Sequence, residues 1–272
     1  MDYDPVKDRF GSLVAGSRWR TALFFRLLHL FFLRAWHVRR ALRRAIGPKD
    51  RALRILDAGT GFGQFAWWIV RRWPAATIHA VDIKQDYLDR AEAFLKQERM
   101  ADRVSFAIDD LTDLKAEGPF DLILSVDVME HILEDVTVFK HFHRVLRPGG
   151  TVIINTPSDQ GGSDVHTEGE SFIGEHVRDG YGKDEVRSKL AEAGLQADLV
   201  EYTYGPFGSL AWRLTIKWPM IWLNASFASV LLLPIWYALV ILPALILNGL
   251  DVSSKNRTGT GLIVVAHRPQ VP

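Results

Sequence analysis

The sequence contains no cysteine among its 272 residues. This absence excludes a disulfide framework, a thiolate metal site and a cysteine nucleophile, and it is typical of a protein in a reducing compartment. An excess of one charge is also lacking, because 33 Lys and Arg residues face 32 Asp and Glu residues and leave a net charge of +1. The overall charge therefore indicates no nucleic-acid partner.

Two stretches of the chain are poor in charged residues, one in acidic residues alone and the other in charged residues of both signs. From Arg9 to Lys49 there are ten basic residues and no Asp or Glu, and residues 218–250 contain no charged side chain. A secretory signal is not predicted, since residues 1–8 hold three aspartates and the later apolar run is broken by arginines. We expect a protein that remains on the cytoplasmic side.

Between these stretches, short apolar runs alternate with segments of helical periodicity, which is the pattern of repeated βα units and a mainly parallel sheet. The predicted strands lie near residues 53–58, 77–82, 103–108, 120–126, 150–156, 197–204 and 261–267. The predicted helices lie near residues 63–72, 86–98, 134–145 and 183–193, and the segment 156–180 is predicted to be a loop.

The first βα turn is rich in glycine and follows an acidic residue, in the sequence from Asp57 to Gly63. Glycines there allow positive φ angles and let the backbone approach a ligand closely. Asp82 ends the second strand, where a carboxylate binds the ribose hydroxyls of an adenosine. After the third strand, one of the carboxylates of Asp109 and Asp110 can reach an adenine amino group, and Leu111 can pack on the ring. These features suit both methyltransferases and nicotinamide-dependent oxidoreductases.

The fourth strand and the turn after it discriminate between these classes. Residues 120–131 have the sequence F-D-L-I-L-S-V-D-V-M-E-H, and L-R-P-G-G-T follows at 146–151. Together with the preceding motifs, these two segments make residues 53–157 resemble class I S-adenosylmethionine-dependent methyltransferases of the ubiquinone/menaquinone-biosynthesis type. The resemblance implies an α/β fold with a Rossmann-like, seven-stranded, mostly parallel sheet, an antiparallel last strand and helices on both faces.

The resemblance also implies a site for S-adenosylmethionine at the carboxyl ends of the first four strands. The methionine moiety would lie above the glycine turn, the ribose and adenine beside the second and third strands, and the sulfonium beside the fourth. The implied binding residues are Asp57, Gly59, Gly61, Gly63, Asp82, Asp110, Leu111 and Ser125.

Residues for the methyl acceptor are expected at the same edge of the sheet. His131 is the candidate base because imidazole titrates near neutrality, and Glu130 is its predicted catalytic neighbour. His176, Arg178 and Tyr181 are predicted to order the acceptor from the loop above. No metal site is predicted, because the histidines do not have zinc-ligand spacing.

The charge-poor stretches predict contact with a membrane. A basic, aromatic helical segment over residues 1–49 suits an anionic surface, and residues 205–258 form an apolar helical insertion between core residues 50–204 and the last strand in 259–272. If the strands around the insertion are antiparallel neighbours, both of its ends lie on one side, so a hairpin in one leaflet fits better than a single crossing. A soluble lid or a dimer interface is the alternative.

These features predict a methyltransferase that acts on a hydrophobic or membrane-resident acceptor, such as a lipid or a quinone. It would lie at the cytoplasmic face of a membrane, as a peripheral or monotopic protein. Two alternatives stay open: a nucleotide-binding membrane scaffold without turnover, and, less favoured, a nicotinamide-dependent oxidoreductase.

Overall fold

A computed structural model describes residues 17–161 and 177–270 of the chain. Its seven-stranded sheet has the order β3-β2-β1-β4-β5-β7-β6, in which β7 is antiparallel to both neighbours. This confirms the predicted Rossmann-like sheet with an antiparallel last strand. The strands are β1 (Arg54–Ala58), β2 (Thr77–Asp82), β3 (Val104–Ile108), β4 (Phe120–Val126), β5 (Leu146–Pro157), β6 (Gln196–Thr203) and β7 (Gly261–His267).

Helices cover both faces of the sheet and form a hydrophobic core on each. One core contains side chains of α1 to α4, and the other contains side chains of α5 and α6. The α-helices are α1 (Arg18–Phe31), α2 (Leu33–Ile46), α3 (Gln64–Arg72), α4 (Gln85–Gln97), α5 (Asp135–Val145), α6 (Lys183–Glu192), α7 (Pro206–Trp212), α8 (Trp218–Ala225) and α9 (Leu233–Ser253).

Two local features differ from the sequence-based expectation. The predicted turn at 147–150 is a bulge inside β5, because Phe120 pairs with Leu146 and Leu122 pairs with Thr151. The N-terminal helical segment is two helices, separated at Phe32 by an extended backbone conformation (φ −85°, ψ 115°). Residues 1–16 and 162–176, which include the predicted acceptor residue His176, lie outside the described part of the chain.

The predicted apolar insertion forms a helical hairpin, residues 206–253. One arm consists of α7, a π-helical turn (Arg213–Lys217) and α8, and the other arm is α9. The hairpin leaves the sheet after β6 and returns to β7, where Thr203 and Gly261 are direct register partners. Both ends of the hairpin therefore lie at the same point of the sheet.

The π-helical turn is stabilised by side chains of the opposite arm. Pro219 has no N–H, so it cannot donate to the carbonyl of Thr215 four residues earlier or to that of Leu214 five residues earlier. Trp236 Nε1 donates to the Leu214 carbonyl at 2.9 Å, and the Tyr237 hydroxyl donates to the Thr215 carbonyl at 2.8 Å. The aromatic donors of α9 thus replace the backbone donor that proline removes.

The base of the hairpin is fixed by a carboxylate with no exposure to solvent. Asp251 of α9 accepts hydrogen bonds from His37 Nε2 at 2.8 Å and from the Gly208 N–H at 3.0 Å. A Cβ atom on Gly208 would lie 2.4 Å from Leu33 Cδ2, so only glycine allows this close packing. These contacts join α2, α7 and α9 in one buried cluster.

We expect Trp236→Phe to destabilise the protein by about 1–3 kcal/mol, because the Leu214 carbonyl would lose its donor in an apolar setting. Chemical unfolding in mild detergent, followed by circular dichroism, measures the change. Trp218→Phe is the matched control, since the Trp218 ring packs on Trp236 and its N–H bonds no described residue. Equal losses for the two variants would contradict the role of the hydrogen bond.

Candidate functional site

The glycine turn after β1 has one packed side and one open side. Gly59, Gly61 and Gly63 all have positive φ angles, of 80°, 54° and 76°. A Cβ atom on Gly59 would lie 2.3 Å from a methyl carbon of Val128, whereas a Cβ on Gly61 would meet nothing within 4 Å. The turn therefore packs on Val128, two residues after the end of β4. Its backbone is open to a ligand at Gly61.

Two carboxylates hold this turn. Asp57 is buried and accepts a hydrogen bond from Thr60 Oγ1 at 2.6 Å, and burial raises its pKa to about 7, with a smaller contribution from Asp82. Asp82, at the end of β2, accepts hydrogen bonds from the N–H groups of Gly61 (2.8 Å) and Lys84 (3.0 Å). Asp82 is only half-buried, so its carboxylate oxygens can accept further hydrogen bonds from the hydroxyl groups of a ligand.

The residues predicted for the adenine differ in their exposure. Asp110 is exposed and accepts hydrogen bonds from the N–H and hydroxyl of Thr112. Leu111 is only 5% exposed and belongs to the hydrophobic core, so it offers little surface to a ring. Ile83, which follows Asp82 directly, is 59% exposed and offers an apolar surface at this edge. Sequence analysis missed Ile83, although its position after a strand-end acid could have indicated it.

Ser125 lies at the carboxyl end of β4, where the sulfonium side of the cofactor was expected. It has no exposure, and its Oγ makes no hydrogen bond to any described residue. Buried hydroxyl groups are normally paired. The free hydrogen-bonding capacity of Ser125 is thus consistent with the predicted ligand at this edge.

The acceptor side contains an ion pair that sequence analysis missed. Arg34, in the first turn of α2, pairs with Asp127, which follows β4 in a left-handed conformation (φ 54°). The charge of Asp127 raises the pKa of the Arg34 guanidinium further above its usual value. The Arg34 backbone N–H donates to the hydroxyl of Tyr204 at 3.2 Å, and burial raises the pKa of Tyr204 to about 12. The N-terminal segment thus contributes directly to the site.

Glu130 and His131 share one short turn but differ in exposure. Glu130 is 1% exposed and accepts a hydrogen bond from Thr156 Oγ1 at 3.1 Å. Burial, and then the charge of Asp127, raise the pKa of Glu130 to about 8, so this carboxyl is mostly neutral at pH 7. A neutral, enclosed carboxyl does not suit the predicted catalytic role of Glu130. His131 is partly exposed on the same turn, and its role as a base stays a prediction.

Arg178 and Tyr181 do not face the site in the way that was predicted. Tyr181 is 1% exposed, and its hydroxyl lies 2.8 Å from the carboxylate of Asp135 and 3.2 Å from the carbonyl of Met129. The Arg178 guanidinium bonds the same carboxylate and the carbonyl of Ile132. A single buried acid therefore holds both side chains, which leaves them without free groups for an acceptor, apart from one buried guanidinium nitrogen of Arg178.

We expect Glu130→Gln to gain stability relative to the native protein as pH rises. Folded Glu130 keeps its proton up to about pH 8, whereas the unfolded carboxyl loses it near its ordinary pKa of 4.5. Between these two pH values the folded state binds more protons than the unfolded state, so the free energy of unfolding of the native protein falls as pH rises. The variant has no carboxyl group at this position, so its free energy of unfolding does not fall for this reason. The difference should grow by at least about 2 kcal/mol.

Urea denaturation at several pH values from 5 to 8.5 measures this difference. Glu134→Gln, at an exposed position four residues along the chain, is the control and should show no such trend. Stability curves of Glu130→Gln and the native protein that run parallel with pH would contradict the raised pKa.

Comparison with known proteins agrees with this geometry. Residues 55–150 match the model of a family described as a methyltransferase domain. The methyltransferase GfsG of Streptomyces halstedii is 34% identical over 102 residues, which cover 37% of this chain and 36% of that protein. The trans-aconitate 2-methyltransferase of Azoarcus sp. is 33% identical over 110 residues, 40% of this chain and 41% of that protein. The chain thus spans about two fifths of the length of these relatives.

The fold is also found among solved structures. Phosphoethanolamine N-methyltransferase 2 of Haemonchus contortus, in complex with S-adenosyl-L-methionine, has a TM-score of 0.60 at 22% identity, over 86% of this chain and 53% of that chain. The matched segment contains the glycine turn, Asp82 and the turn with Asp127 and Glu130. Residues 55–150 therefore match a methyltransferase domain, and the fold that contains them is shared with a protein solved in complex with S-adenosyl-L-methionine.

Proposed function

We propose that the protein transfers a methyl group from S-adenosylmethionine to a hydrophobic or amphiphilic acceptor, such as a lipid or a quinone, at the cytoplasmic face of a membrane. The position of the hairpin carries this proposal. Tyr204 bonds Arg34 beside Asp127, and α7 begins two residues later at Pro206. An apolar element thus starts at the edge of the sheet where the acceptor must arrive.

The cofactor side of the site fits S-adenosylmethionine, which supplies a methyl group already activated on a sulfonium. The open backbone at Gly61 suits the methionine moiety, Asp82 suits the ribose hydroxyls, and Ile83 offers an apolar surface for the adenine. Arg34 offsets the charge of Asp127, so the carboxylate of Asp82 is the negative group that suits a cationic ligand.

The acceptor side must take up a proton where the methyl group replaces the hydrogen of a hydroxyl, an amine N–H or a C–H group, because that hydrogen leaves as a proton. Glu130 already holds its proton at neutral pH and is enclosed. Asp127 and His131 are partly exposed at the same edge, and the guanidinium of Arg34 orients Asp127. We assign the proton-accepting role to this outer pair of residues, with His131 as the base.

The hairpin supports contact with a membrane. The segment Ser229–Ser253 is long and apolar enough to span one, with a mean hydropathy of 2.6 and little burial. Side chains of α9 and of α1 form exposed apolar stripes, which soluble proteins rarely carry at this size. The stripe on α9 consists of Ile235, Leu239, Leu242, Ile246 and Leu250, and that on α1 of Trp19, Leu23, Leu27 and Leu30.

Entry into one leaflet explains the hairpin better than two crossings. Its ends meet at the Thr203–Gly261 pair, so the number of crossings must be even. The first arm carries Arg213 and Lys217 near its middle, and beyond them its uncharged helix α8 has eight residues. Eight helical residues span about 12 Å, which is close to half of a hydrocarbon core.

The relative named for trans-aconitate does not decide the acceptor of this chain. The matched domain ends at residue 150, whereas α1, α2 and the hairpin lie outside it. These additions surround the acceptor side and would set the specificity.

We expect Asp82→Ala to weaken the binding of S-adenosylmethionine at least about tenfold, because charged hydrogen bonds to the ribose and to the glycine turn are lost. Isothermal titration calorimetry measures the dissociation constant. Asp86→Ala, at an exposed position on α4, is the control. An unchanged affinity of Asp82→Ala would refute the assignment of the ribose site.

We expect methyl label from S-adenosylmethionine to enter the organic phase when the protein acts on a membrane extract of its source cells. The variant Leu239→Gln/Leu242→Gln/Ile246→Gln should transfer less label, because its hairpin face is polar, while its affinity for the cofactor is unchanged. Leu133→Gln, at an exposed apolar position away from the hairpin, is the matched control. Label confined to the aqueous phase would refute the hydrophobic acceptor.

A further inference from the structure

Beyond Arg34, helix α2 carries four more arginines, which divide between two faces. Arg39 and Arg43 lie over the ring of Trp68, with their guanidinium carbons 6.0 Å and 5.8 Å from its centroid. Arg40 and Arg44 are one turn apart on the neighbouring face, together with His37. The two pairs have the same charge and different surroundings.

The face with Arg40 and Arg44 borders a cleft between α2 and the strands β5, β6 and β7. The cleft has a volume of about 260 Å³, and Leu199, Ile263 and Val265 form an apolar floor. Glu201 is the one acidic residue of its lining. Within residues 17–161 and 177–270, neither arginine forms an ion pair or a hydrogen bond. Two guanidinium groups thus border apolar surface without a counter-ion.

The cleft begins at the base of the hairpin. His37 lines one end of it and also bonds Asp251 of α9. Arg40 follows about 4.5 Å further along the helix axis, and Arg44 about 10 Å further. If the hairpin enters a leaflet, both arginines therefore lie close to the layer of lipid head groups.

We propose that this cleft binds one anionic phospholipid. Its phosphate would bond Arg40 and Arg44, since guanidinium groups bind phosphate oxygens in a bidentate manner. Its acyl chain would lie on the floor formed by Leu199, Ile263 and Val265 and continue into the leaflet beside the hairpin. The two arginines outweigh Glu201, so a net negative head group is favoured over a zwitterionic one. This inference rests on the membrane insertion in the proposed function.

Native mass spectrometry of the full chain, released from a neutral detergent, tests the proposal. The protein is titrated with phosphatidylglycerol or with phosphatidylcholine, and the lipids that stay bound are counted. We expect one phosphatidylglycerol to bind more tightly than the rest, and Arg40→Gln/Arg44→Gln to weaken it at least about tenfold. Arg39→Gln/Arg43→Gln removes the same charge from the other face and should keep the tight lipid.

Several results would overturn the proposal. Equal losses for the two double variants would mean that only overall charge attracts the lipid. Equal affinity for the two lipids would remove the role of the arginines. Displacement of the lipid by inorganic phosphate at equal concentration would mean that the cleft binds an anion alone. A dimer that Arg40→Gln/Arg44→Gln converts to monomers would make the cleft an interface between copies.

The failure of this inference is distinguishable from a failure of the proposed function. Calorimetry with S-adenosylmethionine and transfer of labelled methyl are measured on the same protein. Methyl transfer into the organic phase without a tightly bound phosphatidylglycerol would defeat the lipid site alone. A tight lipid without any methyl transfer would defeat the enzymatic proposal and leave the lipid site standing.

Discussion

The arrangement of the acceptor side depends on one buried carboxyl group, that of Asp251. Asp251 is completely buried, and a buried carboxylate is tolerated only when it is paired and hydrogen-bonded. His37 and the Gly208 N–H fulfil that requirement from two different helices. Because the departure of either partner would leave one buried carboxylate oxygen without that hydrogen bond, these contacts hold α2, α7 and α9 in one relative position.

That position determines what the first turn of α2 contacts. Arg34 lies one turn before His37, so the contacts that fix His37 also direct Arg34 towards Asp127. Asp127 in turn adds to the field that keeps Glu130 protonated. A buried pair at the hairpin is thus connected through one helical turn to the charges at the active site.

The sequence predicted the sheet and the cofactor turn well, because these are local features. An apolar run followed by glycines predicts a strand and a tight turn without any long-range contact, and the structure has both between Arg54 and Gly63. The pair of Arg34 and Asp127 was missed because 93 residues separate them. Tyr181 was misplaced for a related reason, since only packing reveals that Asp135 engages its hydroxyl.

Adjacent residues can also differ in burial in a way that the sequence pattern does not predict. Glu130 and His131 are neighbours, yet the short turn places one side chain inside the core and the other near the surface. Burial, rather than residue type, then raises the pKa of Glu130 to about 8.

The pairing of Thr203 with Gly261 has a consequence for the history of the chain. Register partners in antiparallel strands lie about 5 Å apart, a gap that a turn of a few residues can close. The sheet therefore tolerates a connection of almost any length between these two strands. An apolar segment can thus be acquired, lengthened or lost at this point without a change in the strands that carry the glycine turn.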